Sequence, residues 1–162
     1  MMSIGIVIIA AALACVIAAM IWDMLTFEIP DMLSIALAAL AIAYGIATPG
    51  FAWLSHFGAT ALVFCVGLFI FSRGWMGGGD IKLLTGLAAW SGLEGLGLQL
   101  TATALAGGGL AIILLILRHG LPLAVAEPER LPRLFHRDAP LPYAVAIGIG
   151  TCWWAWQDWP IG

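Results

Sequence analysis

Charge is what this chain has least of. Only 9% of its 162 residues are Asp, Glu, Lys or Arg, where soluble domains carry about 25%. With 63% of the residues hydrophobic, too little polar surface remains to cover a water-soluble core, so the expected surroundings are a lipid bilayer. Cysteine is also scarce. Cys15, Cys65 and Cys152 fall in separate apolar runs with no C-x-x-C, which argues against a zinc ribbon or a disulfide framework and predicts three small buried hydrophobes. The three histidines, His56, His119 and His136, show no metal-ligand spacing. A formal net charge of −3 with no basic patch gives no footing for a nucleic-acid partner. Residues 1–22 lack both the basic n-region and the A-x-A site of a cleaved leader, so they read as a membrane helix.

What the chain does have is apolar helix. Six segments can be drawn, at about 4–22, 32–48, 52–72, 81–97, 99–117 and 140–158, most of them near the ~20 residues that a crossing needs. The strands of a β-barrel would alternate lipid-facing and lumen-facing residues, and these do not. The expected fold is therefore all-α: a polytopic membrane helix bundle with about six transmembrane helices, with residues 1–162 forming a single membrane-embedded domain. The fourth segment is the weakest, holding Lys82, Glu94 and Gly86, Gly92, Gly95 and Gly97. Basic residues settle its reading. If all six segments cross, Arg73, Lys82, Arg118, Arg130, Arg133 and Arg137 all lie on one side, the cytoplasmic one by the positive-inside rule. Both termini are then outside. Residues 118–142 gather five of the eight prolines, too many for a long helix, and predict a charged, solvated cytoplasmic loop at about 118–139. Trp153, Trp154, Trp156 and Trp159 read as interfacial anchors of the last helix, and Gly107–Gly109 as a close helix contact.

Two acids stand at the cytoplasmic edges of these helices. Asp23 ends the first apolar run, and Asp80 follows Gly77, Gly78 and Gly79 at an expected N-cap. A carboxylate at membrane depth costs about 2.5–3.5 kcal/mol at a helix centre and less near the interface, so a pair of them points to joint chemistry. Two carboxyls that meet cannot both ionise, and they share a proton in the manner of aspartic proteases. Taken singly, each has a plainer reading, Asp23 as an interfacial helix end and Asp80 as a cap. The three glycines suit a tight turn or a close backbone approach, for instance by an extended substrate adding alongside them. Lys82 is a candidate partner for an acid or the substrate, or a snorkelling side chain. Glu28 and Asp31 flank Pro30 and add negative potential or cap the loop.

These residues resemble the type IV prepilin peptidases, in particular their short Tad/Cpa-type members. That family shows D-x(5)-I-P-N at the end of helix 1, then G-x-G-D-x-K-L, then P-Y at the last helix. The counterparts here are Asp23 with EIPD at 28–31, GGGDIKLL at 77–84 and LPYAVAIGIG at 141–150. The resemblance implies an intramembrane aspartyl endopeptidase of the inner membrane that cleaves the leader peptide of a type IV or Flp-type prepilin or pseudopilin after a glycine. Asp23 and Asp80 would be catalytic, no metal or organic cofactor would be needed, and the pilus-assembly machinery is an implied partner. Asp31 stands where the family has Asn, and Met24–Phe27 lack the basic residues common there. The cysteine-rich domain of longer members is missing, which implies a peptidase without N-methyltransferase activity. Presenilin-like proteases share G-x-G-D but carry a P-A-L motif that is absent here. The competing functions are a small proton-coupled transporter, whose acids would be spread across the membrane depth, and a non-catalytic assembly scaffold.

Overall fold

The structure, a computed structural model, describes residues 2–124, 132–136 and 138–158. Of the residues singled out above, Arg130, Arg137 and Trp159 lie outside that set. All regular structure among the described residues is helical: α1 (Met2–Thr26), α2 (Asp31–Ala47), α3 (Trp53–Ser72), α4 (Gly78–Ala124) and α5 (Tyr143–Asp158), with one 3-10 turn at Arg133–Phe135. Three stretches are long and apolar enough to cross a bilayer, Ile4–Thr26, Trp53–Ser72 and Gly78–His119; Asp31–Ala47 is apolar but shorter. The bundle is apolar on its outside, with Leu54, Leu105 and Ile46 each more than 70% exposed. That arrangement suits lipid rather than water.

One glycine divides α4. Gly92 has φ 62° and ψ −177°, a region essentially closed to residues with a Cβ, and the chain reverses there. Before it, residues 78–91 run antiparallel to α3: Gly78 meets Phe71 and Gly67 meets Ile81. After it the chain turns back alongside α3, with Leu96 packed into the cluster of Ala59 and Val63. Residues 93–124 then run antiparallel to α5, pairing Gly95 with Trp154, Gln99 with Thr151 and Gly107 with Tyr143. The sequence placed this break at about 97–99. Of the four glycines in that segment only Gly92 takes a positive φ, and Ser55 Oγ accepts the Leu93 N–H at 2.9 Å to hold the turn. The second limb is also longer than expected, running through Pro122 to Ala124.

Packing follows small residues. On α1 the buried positions are Ala12, Val16, Ala19 and Asp23, an i, i+4, i+7, i+11 stripe that aims Asp23 inward with the core. On α2 they are Ser34, Leu37, Ala41 and Gly45. A Cβ at Gly86 would lie 2.9 Å from the Ser34 carbonyl oxygen, so α2 and α4 touch backbone to backbone, the contact that lipid-embedded helices favour. Gln99 Nε2 donates to Thr151 Oγ1 at 3.1 Å and ties α4 to α5.

Several expectations are corrected. Trp154 is 4% exposed, inside the core against Gly95, and of the described indoles in that C-terminal cluster Trp153 and Trp156 face outward. Gly107 does admit a neighbour, the Tyr143 ring, but Gly108 and Gly109 meet nothing within 4 Å. Cys65 and Cys152 are exposed and Cys15 is half-buried, because they fall off the small-residue stripes. The described part of the loop is not a free linker. Arg118 donates to the carbonyls of Leu134, Ala139 and Pro140 at 3.0, 2.8 and 2.9 Å and pins the approach to α5.

Candidate active site

At one end of the bundle the α1–α2 connection, the α3–α4 connection and the start of α5 surround a cavity of about 830 Å³. Asp23 and Asp80 both line it, as do Glu28, Asp31, Gly77, Gly78, Gly79 and Tyr143. Asp80 is close enough to Asp23 for the two charges to interact. The local chemistry holds each carboxyl in place by a different route.

Asp23 is 4% exposed, and its Oδ2 accepts the Ala144 N–H at 2.8 Å. Ala144 lies in the first turn of α5 (Tyr143–Asp158), where N–H groups have no partner within their own helix. The last turn of α1 is an unfavourable place for a carboxylate, and the positive end of α5 offsets it. The P-Y element of the sequence is thereby explained: Pro142 is fully buried, Tyr143 lines the cavity, and the next residue donates to Asp23.

Asp80 is half-buried. It lies in the first turn of α4 rather than at its N-cap, because α4 begins at Gly78, and its side chain reaches back to the backbone of Gly77. This use of a first-turn acid is the acid half of a capping box, since Gly77 has no side chain to return the bond. None of the three glycines has a positive φ. Their smallness admits neighbours: a Cβ at Gly79 would lie 3.2 Å from the Ile29 Cβ, and one at Gly77 would lie 3.0 Å from the Asp80 Oδ2. Gly78 and Gly79 are already helical, so what they offer along the cavity is first-turn N–H groups.

Lys82 is not among the lining residues. Its Nζ donates to both oxygens of Asp31 at 2.8 Å in an exposed ion pair. Of the four acids that line the cavity, Asp23, Glu28, Asp31 and Asp80, Lys82 pairs with Asp31 alone.

Sequence reasoning missed Phe27, which lines the cavity with φ 59°. Its N–H reaches the Asp23 carbonyl at 2.8 Å and closes α1 with a left-handed residue, a position usually given to glycine. Holding a non-glycine there costs about 1–3 kcal/mol and is characteristic of functional sites. The Arg133 guanidinium lies 5.4 Å from the centre of the Phe27 ring. Nothing in the sequence distinguishes this phenylalanine from the apolar residues around it. Leu141, also in the lining, was legible only as part of the P-Y element.

No curated protein and no solved structure shows significant similarity to the chain. A family match does exist. It runs over residues 10–116, two thirds of the chain, and takes in both aspartates and the three glycines before them. The chain belongs to the type IV leader peptidase family.

Proposed function

We propose that this protein is an aspartyl endopeptidase that removes the leader peptide of a type IV or Flp-type prepilin at the cytoplasmic face of the inner membrane. The observation that carries the reading is the meeting of Asp23 and Asp80 on one cavity in a member of a leader peptidase family. Six crossings are part of the proposal: the six helical rods alternate in direction once α4 is divided at Gly92, and both termini then face outward. The basic Arg73, Lys82, Arg118 and Arg133 share the aspartates' side, which is the cytoplasmic side by the positive-inside rule.

The chemistry needs two carboxyls and one proton. A water between them gives a proton to the ionised carboxylate as its oxygen attacks the scissile carbonyl, while the protonated carboxyl donates to the carbonyl oxygen. Collapse of the tetrahedral adduct breaks the C–N bond, the leaving amine takes a proton from the pair, and the starting state returns. No metal or organic cofactor enters this sequence. The acids Glu28 and Asp31 beside the pair favour a basic leader, and the machinery that takes up the mature pilin is the expected downstream partner. N-methylation is not part of the proposed activity.

The test is processing of a tagged prepilin in membranes containing the protein, with the new N-terminus read by mass spectrometry. A cut immediately after the leader glycine supports the proposal. Failure to cut any of several prepilins at matched expression overturns it.

Lys82 supplies a second expectation. Lys82→Gln frees Asp31 beside the cavity and should lower KM for a basic leader by about twofold at low ionic strength, with the difference vanishing at high salt. Stability should change by less than about 1 kcal/mol, since the pair is exposed. An unchanged KM at both salt concentrations would show that Asp31 does not meet the leader.

A further inference from the structure

A second cavity, of about 570 Å³, lies at the end of the bundle away from the aspartates. It is built between α2, the start of α3 and the Gly92 turn, and the end of α5 closes it. Its walls are aromatic: Tyr44, Phe51, Trp90 and Trp154 all line it. The imidazole of His56 stacks on Phe51 with centroids 4.0 Å apart, and Tyr44 and Trp90 lie 5.6 Å apart. These rings are fixed. Trp90 Nε1–H donates to the Leu37 carbonyl at 2.9 Å, and His56 Nδ1 is bonded to the Ala89 carbonyl at 2.9 Å.

Oxygen groups share this aromatic box, Glu94 and Ser91 beside the Thr48 and Tyr44 hydroxyls. Glu94 lines it and has no ion pair among the described residues. Ser91 also lines it, is 7% exposed, and its hydroxyl has no hydrogen-bond partner among the described residues. A buried hydroxyl without a partner is unfavourable, and a ligand that donates to it removes that cost. The charge of the ligand follows from its surroundings. Among the described residues no Lys or Arg lines the cavity, so an anion would face the Glu94 carboxylate without a fixed positive charge beside it. A cation would have both the carboxylate and the negative faces of the rings.

We propose that this cavity binds a primary ammonium group, that of an aminophospholipid headgroup. A primary ammonium carries three N–H donors, enough for the Glu94 carboxylate and the Ser91 hydroxyl together. A quaternary ammonium has none and would leave Ser91 unpaired. The lipid source follows from position. The exposed Trp53, Trp153 and Trp156 lie at this end of the bundle, and indoles gather at headgroup level. The site is separate from the aspartate cavity and does not depend on the peptidase reading.

The experiment is thermal unfolding of the purified protein in a mild detergent. Short-chain phospholipids with ethanolamine, choline or glycerol headgroups are added at equal concentration, and free ethanolamine forms a fourth arm. The ethanolamine lipid should raise the Tm most, the choline lipid less and the glycerol lipid least. Glu94→Gln and Ser91→Ala should each weaken the ethanolamine response, Glu94→Gln by about tenfold or more in half-saturating concentration. If free ethanolamine matches its lipid, the lipid source is wrong. A choline response equal to or above that of ethanolamine overturns the primary-ammonium assignment. Equal responses to all three lipids overturn the site, and that comparison needs only the wild-type protein.

Discussion

Asp80→Asn and Asp23→Asn are each expected to lower kcat/KM for prepilin cleavage by about 10²–10⁴-fold, the range that a positioned acid or base supplies. Asparagine keeps the shape and one acceptor oxygen but cannot exchange the proton. The two positions separate chemistry from architecture in different ways. At position 23 the amide oxygen can still accept the Ala144 N–H now held at 2.8 Å, so Asp23→Asn should unfold at nearly the wild-type temperature. Asp23→Leu removes that acceptor from a buried site and should cost about 1–3 kcal/mol as well as the activity. At position 80 the side chain only serves the Gly77 backbone at an accessible helix start, so Asp80→Asn and Asp80→Ala should both stay folded and both be inactive. The measurements are initial rates on a tagged prepilin and Tm in detergent for each variant. Wild-type rates in both asparagine variants would show the aspartates to be structural. A Tm for Asp23→Asn as low as that of Asp23→Leu would mean that its loss of activity says nothing about catalysis.

The second large effect is expected far from that chemistry. Gly92→Val should destabilise the bundle by about 3 kcal/mol or more. A β-branched residue at φ 62° is a severe conformational outlier, and its Cβ would lie 2.9 Å from the Ser55 Oγ that holds the Leu93 N–H. Gly92→Ala carries the same strain with less bulk and should fall between the two. Gly108→Val is the control, since a Cβ there meets nothing within 4 Å; its effect should stay within about 0.5 kcal/mol, as for substitutions away from packed features. Unfolding in detergent ranks the three. A Gly92→Val protein as stable as Gly108→Val would mean that the turn does not depend on glycine.

Much of this was readable from the chain, and the limits have physical reasons. Helical membrane character follows from scarce charge and long apolar runs, because lipid leaves backbone polar groups only internal partners. Asp23 and Asp80 stood out for the same reason, as charged groups in a medium that rejects charge. The break in α4 was expected but misplaced: four glycines lie close together, and only tertiary contact selects Gly92 for the left-handed turn. Trp154 was read as an anchor from its neighbours, yet Gly95 opposite it leaves a gap that the indole fills. Periodicity could not separate core from lipid face, since both are apolar here; the inward stripe of α1 became visible only with its partners in place. Phe27 and the grip of Arg118 on the loop carbonyls depend on backbone geometry across connections, which residue patterns do not encode.

The bond from Ala144 to Asp23 spans 121 residues of chain, and this has a consequence for biogenesis. Asp23 leaves the ribosome early, yet its side chain has no seat until α5 has been made and inserted. A nascent or truncated chain that lacks α5 would therefore carry both aspartates without a finished site. Any activity of the proposed site would then begin only once the last helix is in place.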